Sequence, residues 1–292
     1  MQAMHGCRGA GSQRSGRFGA DPATGYVGRV HTEEVLTLLK DVAAEVITPR
    51  FRALADGEIH EKNPGDLVTV ADHEAEVLIT RALTAAYPDA VVLGEEAHSA
   101  DPSLMARYAA AEHAFTVDPV DGTKNFVHGS ADHAVMMSET RGGEAVRAWI
   151  WQPQHEAAWV AERGAGAFRN GERVTRQAPG DVAALRGRTS RRSWIGQSLA
   201  GLEPMALTWV SCGIDYPKIV EGEADYILYR GAAPWDHVPG SLILSEAGGL
   251  VGTLDGQPYR PRDTAPRGLL AAASPAAYDV VCRSLASSAH LR

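Results

Sequence analysis

Cysteine is nearly absent. Cys7, Cys212 and Cys282 stand singly, far apart and in no CxxC pair. That pattern excludes a disulfide framework and a cysteine-rich zinc site, and it fits a reducing cytoplasm. Long apolar runs are missing as well: none approaches the roughly 18 residues of a membrane helix. Arg8, Arg14 and Arg17 are followed by no apolar stretch, so the start reads poorly as a signal peptide. Positive charge is in deficit. The formal net charge of −8 argues against non-specific binding to nucleic acid or a membrane surface. What is present is a chain of 292 residues, 45% hydrophobic, with material for a substantial core in one large or two ordinary domains.

Residues 1–28 are rich in Gly, Ser and Arg without periodicity, and read as a disordered tail or an over-long start assignment. From Thr32 the pattern turns helical, with Val35, Leu36, Leu39, Val42, Val46 and Ile47 on one face, Thr32 as N-cap and Pro49 near the end. A second helix is expected over Asp72–Ala86, then short strands at Ala90–Leu93 and Phe115–Val117. Two strands at His133–Thr140 and Glu144–Gln152 follow, a third at Ala157–Ala161, and a hairpin turn at Asn170-Gly171. Trp149, Trp151 and Trp159 alternate as core residues of strands do. The segment 180–198 is polar and irregular. It suggests a division into an α+β half over residues 29–180 and an α/β half over 181–292. Strands at Leu207–Val210 and Tyr226–Leu228 and helices at Tyr216–Glu221 and Asp236–Glu246 complete a layered α/β or α+β pattern without internal repeats.

The chemistry concentrates in Asp118-Pro-Val-Asp121-Gly122-Thr123-Lys-Asn-Phe126. Two carboxylates three residues apart, followed at once by Gly-Thr, suit a hard divalent cation beside a phosphate. Mg²⁺ takes carboxylate, water and phosphate oxygens, and a helix starting at Gly-Thr would turn N–H groups on an anion. Three further acidic places accompany the motif: Asp66 to Asp72, Gly94-Glu95-Glu96 and Trp235-Asp236. Singly, Asp66, Asp72 or Asp236 reads as an N-cap, and Glu95-Glu96 as solvated loop charge. Together, at strand ends and helix starts in apolar surroundings, they need a shared partner. No Lys or Arg lies regularly beside all of them, and divalent cations are the simplest shared partner. The cysteines lie outside these motifs, so no protein nucleophile is apparent. His128 and His133 read as structural, because imidazole suits Mg²⁺ less well than carboxylate does.

The segment Phe115 to His128 resembles the first signature of the inositol monophosphatase family throughout. Trp235-Asp236, eleven residues and Gly248-Gly249 match the second in spacing, over a resemblance spanning residues 32–280. It implies a layered α/β/α/β/α sandwich of the inositol monophosphatase/fructose-1,6-bisphosphatase type and a Mg²⁺-dependent, lithium-sensitive phosphomonoesterase. By resemblance, Glu95, Asp118 and the Val120 carbonyl would hold a first Mg²⁺. Asp118, Asp121 and Asp236 would hold a second, and a weaker third near Glu95 is compatible. Gly122 and Thr123 N–H groups would hold the phosphate. Glu95 and Thr123 would position and deprotonate the attacking water, with Asp72 orienting Thr123. The resemblance also implies a small-molecule phosphate ester as substrate, inositol-1-phosphate by default, and a cytoplasmic homodimer.

Two departures stand out. After Trp235-Asp236 the family usually has small residues, where this chain has His237-Val238-Pro239-Gly240, with Pro239 expected in the helix's first turn. Animal inositol monophosphatases carry an acidic substrate contact six residues before that Trp; here the position is Tyr229, and Asp215 is the best candidate substrate contact. Lys218 with Glu221 to Tyr226 is similar, faintly, to the adenosine bisphosphate nucleotidase branch. That branch, fructose-1,6-bisphosphatase, histidinol-phosphatase and a non-catalytic binding member are the alternatives.

Overall fold

The computed structural model describes residues 30–288 other than 56, 64, 65, 183, 265 and 266. The expected tail over residues 1–28 lies outside the described residues. The first helix, α1 (Thr32–Val42), buries Val35, Leu36, Leu39 and Val42 along one face. Its N-cap is His31 rather than Thr32, because the Glu34 carboxylate reaches back to accept the His31 N–H at 2.7 Å. The helix widens into a π turn (Ala43–Ile47) and closes in a 3₁₀ turn (Thr48–Arg50) that contains Pro49. A small hairpin follows, β1 (Ile59–Asn63) with β2 (Asp66–Thr69), so Asp66 opens a strand and caps no helix. In α2 (Val70–Ala86) the N-cap is Thr69, and Asp72 is the third residue, completing a capping box by accepting the Thr69 N–H at 2.9 Å.

The larger sheet has seven strands in chain order: β3 (Val91–Gly94), β4 (His113–Asp121), β5 (Ala134–Arg141), β6 (Glu144–Gln152), β7 (Ala157–Glu162), β8 (Gly166–Arg169) and β9 (Glu172–Val174). Only β3 and β4 are parallel, joined through α3 (Glu95–Ala100) and α4 (Leu104–Ala110). The short α5 (Thr123–Val127) connects β4 to β5, and Asn170-Gly171 makes the expected tight turn with both φ angles positive. The second sheet has five strands in the order β11-β10-β12-β14-β13: β10 (Gly187–Thr189), β11 (Ala206–Leu207), β12 (Tyr226–Tyr229), β13 (Leu250–Thr253) and β14 (Leu269–Ala272). Thus the polar stretch 180–198 contains an interior strand, β10, and the strand expected over Leu207–Val210 shrinks to β11. The remaining helices are α6 (Cys212–Val220), α7 (Pro234–Glu246) and α8 (Pro275–Ser287).

Strand alternation divides each sheet between two cores. Val135 and Met137 of β5 join Phe115, Val117 and Trp149 against α1 and α2. Ala134 and Met136 face the other way, with Ile150 and Trp159, onto Tyr216 and Ile219 of α6 and Val238 and Ile243 of α7. Ile227 and Ala271 of the second sheet close that middle core. Tyr226, Leu228 and Leu270 pack beneath Tyr278 and Val281 of α8. Full burial of a side chain such as Leu39 or Phe115 contributes about 1.5–3 kcal/mol. The layers run helix, sheet, helix, sheet, helix, which is the expected α/β/α/β/α sandwich. Among the described residues no helix is long and apolar enough to cross a membrane.

Candidate active site

The site forms where β4 ends. Asp118 pairs with Met136 and Asp121 with Ala134, so three steps along β4 oppose two along β5. Without this bulge, residues three apart would point to opposite faces. The extra residue, in the Pro119-Val120 stretch, returns Asp121 to the face of Asp118, and the ladder tolerates the proline there. The chain then turns through Gly122, at φ 85°, into α5. A Cβ on Gly122 would lie 2.9 Å from Ser211 Cβ and 3.1 Å from the Asp132 carbonyl oxygen, so both conformation and space require glycine. The Thr123 hydroxyl lies 3.1 Å from Asp72 Oδ1 and 3.0 Å from the Val120 carbonyl oxygen. Asp72 and Thr123 are therefore in contact, although 51 residues separate them.

The end of β3 supplies Glu95. Gly94 is needed because the Glu76 carboxylate of α2 lies against its backbone; a Cβ there would fall 2.2 Å from Glu76 Cδ. Glu76 accepts the N–H groups of Glu96 and Ala97, each at 2.8 Å, and so caps α3. Glu95 and Glu96 occupy the first turn of that helix rather than a solvated loop. One cation does stand beside two of these carboxylates. Lys62 of β1 places its ammonium 2.7 Å from Glu95 Oε1 and 2.7 Å from Glu96 Oε1. Burial works against the Lys62 charge, but Glu95 and Glu96 outweigh it and raise its pKa.

Asp236 enters from α7, which starts at Pro234 with Ala233 as N-cap. Asp236 is therefore third in the helix rather than its cap. Pro239 sits past the first turn, inside the helix, where it removes a backbone donor. One carboxylate oxygen each from Glu95, Asp118 and Asp236 lie within 4.8 Å of one another. Burial is the main reason the pKa of Asp118 is pushed well up, followed by the charges of Glu95, Asp121 and Asp236. Asp236 is raised likewise, by burial and then by Asp121 and Glu95. Burial, with a smaller push from the charges of Glu95 and Glu96, lifts Asp72 to about 7, against the bonds from Thr69 that favour its ionised form.

Asp121 ties the end of β4 to the start of α6. Its Oδ1 accepts the Cys212 N–H at 3.1 Å, and its Oδ2 accepts the Gly213 N–H at 2.7 Å and a short bond from the Ser211 hydroxyl. The start of α6 is thus built on the carboxylate. Of the roughly four lone-pair sites on a carboxylate, about one remains for a ligand. Val210, just before this turn, holds φ 61°, a conformation costly for a β-branched residue, on the order of 1–3 kcal/mol.

A cavity of about 270 Å³ opens beside Asp121 and Asp236, lined also by Ser211, Cys212, Asp215, Tyr229 and His237. Asp215 reaches its wall while accepting the Trp209 N–H at 2.8 Å, so it is both loop cap and cavity residue. Tyr229 is 2% exposed and stacks on Tyr216 at 5.5 Å, and its hydroxyl favours the ionised form of Asp215. Lys218 pairs with Glu221 and Glu223, and Asp225 with Arg176 and Arg186. The charges of the faint nucleotidase-like stretch are thereby engaged with protein partners. His133 is buried against Phe51 and Phe126, and His128 Nδ1 lies 2.6 Å from the Lys124 carbonyl oxygen; both are structural. Sequence reasoning missed Lys62, which no spacing flags, and placed Cys212 outside the site although its position before Gly213 puts it on the cavity wall.

A model of the inositol monophosphatase family matches residues 30–290. An inositol-1-monophosphatase of Rhizobium meliloti is 31% identical over 222 residues, covering 71% of this chain and 79% of that one. The Nus factor SuhB of Pseudomonas aeruginosa is 30% identical, over 73% of this chain and 82% of its own. Among solved structures, a Thermotoga maritima IMPase superposes with a TM-score of 0.72 at 22% identity, over 87% of this chain and 98% of that one. Fold and relatives together define a hydrolase of phosphoric monoesters. The chain belongs to the inositol monophosphatase family.

Proposed function

We propose that this chain hydrolyses a small polyol or sugar phosphate with Mg²⁺ and an attacking water, inositol-1-phosphate being the default substrate. The observation that carries the reading is the convergence of Glu95, Asp118 and Asp236 oxygens within 4.8 Å. The fit to Mg²⁺ rests on the donors, all oxygen and mostly carboxylate, and on the raised proton affinity of Asp118 and Asp236, which marks a shortage of positive charge. Glu95, Asp118 and the Val120 carbonyl would hold one cation, and Asp118, Asp121 and Asp236 another, with room in the reading for a third near Glu95. When bound, such cations neutralise the phosphoryl oxygens and stabilise both the entering and leaving oxygen of an in-line displacement.

The chain's own residues do the rest. The Gly122 and Thr123 N–H groups, at the start of α5, bind the phosphate. Thr123 donates to Asp72 Oδ1, which leaves the lone pairs of Thr123 Oγ1 to orient the water. Asp72, held by Thr69 and in contact with that hydroxyl, can take up a proton relayed through it. Glu95 would help position and deprotonate the same water. Ser211, Cys212 and Gly213 fix Asp121, and Asp215 and Tyr229 face the alcohol portion in the cavity. Lithium inhibition, a homodimer and a cytoplasmic location belong to the same reading. The intact acidic set weighs against a non-catalytic binding role.

The test is phosphate release from inositol-1-phosphate, adenosine 3′,5′-bisphosphate, fructose-1,6-bisphosphate and histidinol phosphate, with Mg²⁺, with chelator and with added Li⁺. Mg²⁺-dependent, Li⁺-inhibited release from one of them is expected and names the substrate. Release that persists undiminished in chelator would sink the metal assignment.

A further inference from the structure

A second group of ligating atoms adjoins the oxygen cluster. One donor atom each from Cys212, Asp236 and His237 lie within 4.8 Å of one another on the cavity wall. Glu95, Asp118 and Asp236 offer oxygen alone, whereas this group adds a sulfur and an imidazole nitrogen. Oxygen sets suit Mg²⁺, and mixed sulfur, nitrogen and oxygen sets suit Zn²⁺ and its neighbours in the first transition row.

The surroundings hold these side chains as a metal site would. His237 is 2% exposed, and its Nδ1 lies 3.0 Å from the Tyr216 hydroxyl. With Nδ1–H donating to that hydroxyl, Nε2 carries a free lone pair, the usual arrangement behind a metal-bound histidine. The Tyr229 ring, edge-on at 4.7 Å, fixes the imidazole from a second side. Cys212 is anchored at the start of α6 by its N–H bond to Asp121. A tetrahedral Zn²⁺ with bonds of about 2.0–2.3 Å separates its ligands by roughly 3.3–3.8 Å, inside the 4.8 Å within which these three atoms lie. The hydrolytic reading uses neither the Cys212 thiol nor the His237 ring. Coordination of a cation displaces the thiol proton outright.

We infer that Cys212, Asp236 and His237 form a site for a thiophilic divalent cation of the Zn²⁺ type, which shares Asp236 with the oxygen-ligand centre and inhibits Mg²⁺-dependent turnover when filled. Inhibition follows because the cation draws Asp236 away from the oxygen cluster and occupies the cavity wall.

The test starts from chelator-stripped full-length protein titrated with Co²⁺. About one equivalent should produce the thiolate-to-cobalt charge-transfer absorption; Zn²⁺ should displace it and excess Mg²⁺ should not. Cys212→Ser and His237→Ala should each abolish the band while retaining the folded circular dichroism spectrum. No band in the wild type, or a band surviving in Cys212→Ser, overturns the site. In phosphate-release assays at fixed Mg²⁺, Cys212→Ser should raise the half-inhibitory Zn²⁺ concentration at least tenfold; an unchanged value overturns the inhibitory role. The cobalt spectrum needs no substrate, so it stands or falls independently of the phosphatase reading.

Discussion

Asp118→Asn separates the charge of the acidic cluster from its shape. Two ionised oxygens 4.8 Å apart repel by about 3.5 kcal/mol at an effective dielectric constant of about 20. Asp118 faces such a partner in both Glu95 and Asp236. Its raised pKa means the repulsion is already partly relieved by protonation, and Lys62 offsets part of the Glu95 charge. The net gain on removing the Asp118 charge is therefore smaller, about 1–3 kcal/mol in chelator. Asparagine keeps the oxygen that accepts the Val120 N–H at 3.1 Å, so the bulge survives. At about 3 °C per kcal/mol for a domain of this size, the variant should melt several degrees above wild type in chelator. Adding Mg²⁺ should reverse the order, because the wild type gains from binding and the variant gains little. Turnover should fall at least about a hundredfold, a loss of about 2.7 kcal/mol in transition-state stabilisation. Scanning fluorimetry with and without Mg²⁺, beside phosphate release, reads both effects. A variant that melts below wild type in chelator and is stabilised equally by Mg²⁺ would refute the reasoning.

Two further substitutions test the scaffold around the site. Glu139 is 1% exposed, with Arg141, Arg147 and His113 around it; against its burial they hold its pKa down to about 2. Because the folded pKa lies below the ordinary 4.5, its contribution of about 3 kcal/mol is present above pH 4.5 and is lost as pH falls toward 2. Glu139→Gln should cost about 3–5 kcal/mol at pH 7 by stranding Arg147, and it should flatten that acid limb in urea unfolding followed against pH. Gly213→Ala would put a Cβ 2.5 Å from Ala134 Cβ and 3.2 Å from Asp121 Oδ2. It should cost about 1–3 kcal/mol and raise the Mg²⁺ concentration for half-maximal activity, as a metal titration of phosphate release would show.

The acidic motif was readable because its residues are neighbours in sequence, and the order of the strands from 113 to 174 was readable because their apolar residues alternate. The bulge at Pro119-Val120 carries one strand on to Asp121, where periodicity alone ends it at Val117. β10 escaped notice because Gly187, Arg188 and Thr189 lack apolar side chains; the strand is defined by pairing with β11 and β12, and context outweighs propensity in sheets. Lys62 lies in a charged hairpin with no apolar face to mark it. Cys212 and His237 are 25 positions apart in sequence and meet only because α6 and α7 pack on one face of the large sheet. Asp215 and Tyr229 were found through comparison with a family pattern, and their shared cavity appears only once loop and strand are folded.

Asp121 also bears on how the molecule is made. Its bonds to Ser211, Cys212 and Gly213 span 90–92 residues of chain. During synthesis the large sheet, complete by residue 174, leaves the ribosome well before α6 does. Until then the carboxylate has solvent in place of its three donors, and the turn that carries it has no anchor. Catalytic competence should therefore come late, once α6 has docked on Asp121. A refolding chain should regain strand structure before it regains turnover.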